Sequence, residues 1–125
     1  MGSEGLHEPL ELLDEATLDY HRAMTSLCEE FEAVDWYNQR VTATKDSSLG
    51  AILAHNRDEE KEHAIMLLEW LRRHDAVIDK NLRTYLFTTL PVTEVEKQAM
   101  GAEGSSSTTA SSGSLGLGAL RGLDA

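Results

Sequence analysis

The 125-residue sequence predicts an all-α protein. Long stretches are rich in Leu, Ala, Glu and Arg, and the chain contains only 2 Pro. Apolar side chains recur at alternating spacings of three and four residues, which is the period of an amphipathic helix. We therefore expect an antiparallel two-helix hairpin followed by a short C-terminal helix.

The first predicted helix runs from Pro9, which suits the first position of a helix, to about Thr44. The segment 45–48 reads as a turn, and either Ser47 or Ser48 could cap a second helix that ends near Arg73. The apolar seam of the first helix contains Leu10, Leu13, Tyr20, Met24, Leu27, Phe31, Val34 and Val41. Two antiparallel helices with facing seams follow from this pattern.

The rest of the chain divides at Pro91. A further helical piece is predicted from about Asp75 to Phe87, and a short helix from about Thr93 to Gln98. The expected organisation is a flexible N-terminus (1–8), a helical domain (9–98), a flexible Ser- and Gly-rich linker (99–113) and a terminal segment (114–125). That segment carries Leu115, Leu117, Leu120 and Leu123, which favours a docking peptide over a disordered tail.

Composition excludes several classes of function. The net charge of -11, from 22 acidic and 11 basic residues, disfavours binding to nucleic acid or anionic membranes. No apolar run is long enough to span a bilayer, and the N-terminus lacks the features of a secretory signal. The single Cys28 forms no internal disulfide and suits a reducing cytoplasm, where we expect the protein.

The strongest chemical motif is a Glu-x-x-His unit, Glu60 to His63, in the second predicted helix. Residues three apart project from one face and can grip one ion. Glu30 is the best facing carboxylate because it flanks the seam of the first helix. Buried carboxylates need compensation, and oxygen ligands with one imidazole suit Fe(II) or Mn(II) better than Zn(II). The competing interpretation is an ordinary salt-bridged surface across 57–62.

At these residues the sequence resembles the encapsulated ferritins, with similarity over roughly residues 7–91. The resemblance is carried by the stretches His7-Glu8-Pro9, Glu29-Glu30-Phe31-Glu32-Ala33-Val34-Asp35-Trp36-Tyr37, His55-Asn56-Arg57-Asp58-Glu59-Glu60-Lys61-Glu62-His63-Ala64, Leu68-Glu69-Trp70-Leu71-Arg72-Arg73 and Leu82-Arg83-Thr84-Tyr85-Leu86-Phe87-Thr88.

This resemblance implies a ferroxidase in which Glu30, Glu60 and His63 are the iron ligands and Tyr37 is a nearby catalytic residue. It also implies that Glu29 and Glu32 belong to outer metal sites. The segment 115–121 is similar to peptides that load cargo into encapsulin shells, which would place the protein inside such a nanocompartment.

Counting ligands gives an independent expectation. A ferritin-like di-iron site uses a Glu from each of two helices and a Glu-x-x-His from each of two others, and the two predicted helices of this chain supply one of each. Two copies would therefore complete a four-helix bundle and its site about a two-fold axis. The resemblance adds that such dimers assemble into a ring. The alternatives are a di-metal oxygenase or peroxidase with the same ligands, and a non-catalytic helical adaptor that docks through its C-terminal peptide.

Overall fold

The computed structural model describes residues 5–105, with side chains to residue 102. All regular structure in this range is helical, which confirms the predicted fold class. The α-helices are α1 (Glu15–Ala43), α2 (Ser47–His74), α3 (Ala76–Tyr85) and α4 (Val92–Ser105). The chain divides into two compact units, Met1–His74 and Asp75–Ala125, where the sequence predicted one helical domain over 9–98. None of the described helices is both long and apolar enough to cross a membrane.

Helix α1 begins at Glu15, so the predicted start at Pro9 is wrong. Pro9 instead precedes a single 3-10 turn, Leu10–Leu12, and the backbone becomes extended at Leu13. Asp14 then caps α1, because its carboxylate accepts a hydrogen bond of 2.8 Å from the backbone N–H of Thr17. This bond satisfies one of the amides that a helix N-terminus leaves without a partner.

The N-terminal segment was predicted to be flexible over residues 1–8. Residues 1–4 lie outside the described range, but Gly5 lies directly against α1. A Cβ atom at this position would fall 2.8 Å from Cε1 of His21. Glycine therefore allows a close approach of the backbone to the imidazole, and residue 5 is already part of the packed unit.

A three-residue connection, 44–46, joins α1 to α2 as a helical hairpin. Asp46 caps α2 in place of the predicted Ser47 or Ser48, because its Oδ1 accepts a hydrogen bond of 2.9 Å from the N–H of Leu49. The N–H of Asp46 in turn donates to Oγ1 of Thr44 at 3.2 Å. The turn is thus stabilised by side chains on both sides, and it directs α2 back along α1.

The hairpin buries few side chains by itself. Ala23, Ala64 and Leu71 are its buried apolar residues among those described. Several large apolar side chains are exposed, namely Phe31, Trp36, Leu49, Ile52, Ile65 and Met66. Burial of apolar surface is the main stabilising term in folding, so a hairpin with this distribution calls for a further packing partner.

In the second unit, α3 ends two residues earlier than Phe87, the predicted end. Asp75 caps the helix, with Oδ1 accepting from the N–H groups of Val77 and Ile78 at 2.9 and 3.0 Å. Phe87 has a φ of 62°, in the left-handed region that stops a right-handed helix. Among residues 75–102, whose side chains the structure describes, Val95 of α4 is the buried apolar one.

Helix α4 continues past Gln98, its predicted end, to Ser105. Residues 99–105 of the predicted linker are therefore helical. The run from Glu96 to Met100 consists of good helix formers, and Gly101 costs a helix only about 1 kcal/mol relative to Ala. The remaining linker, 106–113, and the predicted docking segment, 114–125, lie outside the described residues.

Candidate metal centre

Helices α1 and α2 bring Glu30, Glu60 and His63 together. One candidate ligand atom from each residue lies within 4.8 Å of the others. Nδ1 of His63 is 3.6 Å from Oε2 of Glu30 and 3.8 Å from Oε2 of Glu60. We call these three residues the Glu/His cluster. Among the described His, Cys, Asp and Glu residues, they form the group whose geometry could hold a metal ion.

The local fold explains this meeting. Glu60 and His63 are one helical turn apart on α2 and share a face, whereas Glu30 comes from the antiparallel neighbour. The hydrogen bond from Nη1 of Arg57 to Oδ1 of Asn38, 3.0 Å long, joins the two helices on one side of the cluster. The register of the hairpin therefore places a carboxylate opposite the Glu-x-x-His unit.

Burial makes the cluster costly without a cation. The side chains of Glu30 and Glu60 are 24% and 26% exposed, and that of His63 is 46% exposed. Oε2 of Glu30 is buried and accepts no hydrogen bond. An unsatisfied buried polar atom costs about 1–3 kcal/mol, more when it is charged, so this oxygen needs a partner.

Electrostatics leads to the same conclusion. The pKa of Glu30 is raised above its ordinary value of 4.5, chiefly because the carboxyl group of Glu60 is close enough to share a proton. Burial raises it further, and the nearby His63 opposes the shift. Two carboxylates that compete for one proton in a partly desolvated place would be stabilised by a divalent cation between them.

The distances suit a first-row metal ion. Oxygen and nitrogen ligands bind such ions at about 2.0–2.2 Å, so two ligand atoms of one ion lie about 3–4 Å apart. The two separations from Nδ1 of His63 fall in this range. Two carboxylates and one imidazole form a hard, oxygen-rich donor set of the kind that suits Fe(II) or Mn(II). The residues present therefore fit the implied metal.

The remaining predicted site residues lie apart from the cluster. Glu29 and Glu32 are exposed on α1. Tyr37 follows Glu30 by seven residues, on the same face but about 10 Å further along the helix. Its ring faces Arg40, whose Cζ lies 5.5 Å from the ring centroid. The structure thus brings together three of the six predicted residues.

Sequence reasoning missed the polar contacts beside the cluster. Arg57 binds Asn38 across the hairpin and Asp58 on its own helix. The charge pattern around residue 57 was visible in the sequence, but the contact with Asn38 depends on helix register. A pairing across two helices has no signature in the spacing of either one.

The comparison with known families decides the classification. The EncFtn-like family model matches residues 5–89, which is more than half of the chain and includes the whole Glu/His cluster. The chain belongs to the EncFtn-like family. This finding confirms the resemblance that the sequence motifs indicated.

Relatives support this membership over most of the EncFtn-like chain. The encapsulated ferritin-like protein of Rhodospirillum rubrum is 56% identical over 126 residues, covering 96% of this chain and 90% of the relative. The ferritin-like protein of Thermotoga maritima is 57% identical over 95 residues, with coverage of 76% and 83%. A protein of Nitrosomonas europaea with a known crystal structure is 64% identical and has a TM-score of 0.69, over 70% of this chain and 97% of that one.

Proposed function

We propose that this EncFtn-like chain is a ferroxidase that oxidises Fe(II) to Fe(III) with O2 at a di-iron centre shared between two subunits. The observation that carries the proposal is the Glu/His cluster, which is half of a ferritin-like ligand set. Its uncompensated buried oxygen at Glu30 supports a cation at this place. Relatives described as ferritin-like support the choice of iron.

In this proposal the protein binds and orients, and iron supplies the electrons that reduce O2. Glu30, from α1, would help to hold the ions of the centre. Glu60 and His63, from α2, would contribute the other ligands of this chain, and the partner copy would contribute the same set. The partly buried carboxylates stabilise the higher charge that develops as iron is oxidised. Glu29 and Glu32, exposed on α1, are proposed as outer metal sites.

Association is part of the proposal because a single hairpin is incomplete in two respects. It provides only three ligands, and it leaves large apolar side chains such as Phe31, Ile65 and Met66 exposed. A second copy related by a two-fold axis would bury such surface and complete a four-helix bundle. Further assembly of these dimers into a ring is proposed on the family resemblance.

The proposed location is the interior of an encapsulin shell. The Rhodospirillum rubrum relative is described as encapsulated, and its alignment leaves fewer residues of this chain unmatched than segment 114–125 contains. Part of this terminal segment is therefore aligned with an encapsulated protein. We propose that it docks to the shell while the helices carry out the oxidation. Truncation after Ser105 should abolish co-purification with the shell protein and leave oxidation in solution unchanged.

Dependence of the oxidation rate on association tests the shared centre. The full-length chain is diluted across its dissociation range, the assembly state is followed by light scattering, and Fe(II) oxidation is started with O2. The rate per subunit should fall with the fraction assembled, because no monomer holds a full ligand set. An equal rate per subunit in monomer and assembly would exclude a shared centre.

Anaerobic Fe(II) should also raise the thermal stability of the assembled protein, since a ligand that binds only one state stabilises that state. A non-catalytic adaptor would show neither response. A di-metal oxygenase or peroxidase would couple Fe(II) turnover to an organic substrate.

A further inference from the structure

Arg57 occupies a position from which it could block the Glu/His cluster. It precedes Glu60 by three residues on α2, so both side chains project from the same face. A basic and an acidic residue at this spacing are close enough to form an ion pair. Such a pair would set a guanidinium, which does not deprotonate in proteins, in competition with any metal ion for the carboxylate of Glu60.

The guanidinium is instead bound to two other oxygens. Nε of Arg57 donates to Oδ1 of Asp58 at 3.0 Å, and Nη1 donates to Oδ1 of Asn38 on α1 at 3.0 Å. The side chain of Arg57 is only 21% exposed, so these contacts fix it in a restricted space beside the hairpin seam. These two contacts hold the guanidinium of Arg57 away from Glu60, the acidic residue three positions further along α2.

Asp58 contacts two cationic side chains at once, those of Arg57 and Lys61. Its Oδ1 also lies 3.2 Å from Nζ of Lys61. Lys61 directly follows Glu60 in the sequence, and adjacent residues on a helix do not face each other. Between these two permanently charged side chains, Arg57 is therefore the one that could reach Glu60 along α2, while Lys61 carries the same charge without that access.

We propose that Asp58 and Asn38 are positioning residues that hold Arg57 away from Glu60, so that the carboxylates of the Glu/His cluster stay available to a divalent cation. This inference rests on the proposed function and adds to it a device that excludes an internal competitor. The buried Oε2 of Glu30, which accepts no hydrogen bond, agrees with a cluster from which arginine and lysine side chains are withheld.

Binding of Co(II) to the assembled full-length protein, measured by titration calorimetry, tests the device without relying on activity. Asp58→Ala removes one of the two contacts that hold Arg57 and should weaken binding about threefold to fivefold, the scale of one partly exposed ion pair. Glu59→Ala is the matched control. It removes the same charge beside Glu60, but Glu59 pairs with His55 at 3.0 Å and holds no arginine. Its effect should stay below about twofold.

The second part of the experiment removes Arg57, the proposed competitor for the carboxylate of Glu60. In the Asp58→Ala background, Arg57→Met should return the affinity to within about twofold of wild type. Lys61→Met changes the net charge by the same amount and should leave the affinity reduced. Loss of one partner of an ion pair can destabilise a fold that loss of both restores, so the melting temperatures of the variants are measured as well. Weaker binding and its rescue without matching changes in melting temperature separate positioning from structural support.

Three results would count against the inference. If Asp58→Ala and Glu59→Ala weakened Co(II) binding equally, the effect would arise from long-range charge and not from the position of Arg57. Absence of rescue by Arg57→Met, or equal rescue by Lys61→Met, would exclude Arg57 as the competitor. Wild-type protein that binds no Co(II), or binds it equally well after Glu60→Ala, would instead overturn the proposed metal centre and this inference with it.

Discussion

Helix α2 contributes to two clusters in which the pKa of a carboxyl group is shifted in opposite directions. One is the Glu/His cluster, and the other consists of Glu69 with Arg72 and Arg73. Glu69 accepts hydrogen bonds of 2.7–2.8 Å from Arg72 and Arg73, and its pKa is lowered from 4.5 to about 2, first by Arg72 and then by Arg73. In the Glu/His cluster the pKa of Glu30 is raised, mainly by Glu60. Both clusters are partly exposed, so exposure alone does not separate them.

The difference lies in the partners. Glu69 has two arginines at the spacings of three and four that face it on its own helix. The Glu/His cluster sets two carboxylates against one imidazole. Acidic residues are abundant in this chain, and their number does not indicate which are available to a metal. What indicates this is whether arginine or lysine side chains of the protein lie beside the carboxylate. Glu69 is already neutralised in this way, and the Glu/His cluster is not.

The largest expected effect concerns iron oxidation. Glu60→Ala and His63→Ala each remove a proposed ligand and should slow Fe(II) oxidation by at least about a hundredfold, with the helical circular dichroism unchanged. Glu69→Ala is the control from the other cluster and should oxidise at nearly the wild-type rate. Stopped-flow absorbance of the assembled protein measures all three. Wild-type rates in the first two variants would remove the functional distinction between the clusters.

A smaller effect, opposite in sign for the two clusters, is expected in the melting temperature of metal-free protein. The folded-state pKa of Glu30 lies above the unfolded value, so its stabilising contribution is present at low pH and lost as pH rises through the folded pKa. At neutral pH, Glu30→Gln should therefore raise the melting temperature by about 2–5 °C, and Glu69→Gln should lower it by a similar amount.

Scanning calorimetry at neutral pH, with a chelator present, measures both shifts. Shifts of the same sign would show that the two clusters are alike in the apo protein. Added Co(II) should reverse the ranking of Glu30→Gln and wild type, because only the wild type retains both carboxylates.

The smallest expected effect is the loss, at low pH, of the stability contributed by Glu69 and its two arginines. The pKa of Glu69 is about 2 in the folded protein against 4.5 unfolded, so its contribution is present above pH 4.5 and is lost as pH falls towards 2. The side chain of Glu69 is 39% exposed, so solvent screens the contribution and added salt should reduce it. The difference in urea midpoint between wild type and Glu69→Gln should shrink across this interval. A difference independent of pH would mean that packing, not charge, stabilises this cluster.

Much of the helical pattern was predictable from the sequence because apolar periodicity is a local signal. The boundaries were less predictable. Pro9 and Ser47 are both acceptable helix starts, but Asp14 and Asp46 provide the caps, and several acceptable caps in one segment look alike in sequence. The end of α3 depends on Phe87 adopting a positive φ, which non-glycine residues rarely do and no pattern predicts.

The centre of the Glu/His cluster was predictable for a similar reason. Glu60 and His63 share a helical face by spacing alone, and Glu30 flanks the seam opposite them. The contact between Arg57 and Asn38 was not predictable, since it depends on the rotation and register of two helices relative to each other. Local periodicity therefore identified the candidate ligands, whereas the residues that position the surrounding charges could be identified only from the three-dimensional structure.

Each chain supplies to the Glu/His cluster one carboxylate from α1 and one Glu-x-x-His unit from α2, and this has a genetic consequence. Under the proposed pairing, one codon change alters both halves of the centre at once. In a cell that makes equal amounts of wild-type and Glu60→Ala chains, random pairing would leave roughly three of every four centres with at least one altered half. Loss of a ligand should then behave as a dominant trait, whereas loss of the proposed docking segment, 114–125, should be masked in assemblies that retain a wild-type chain.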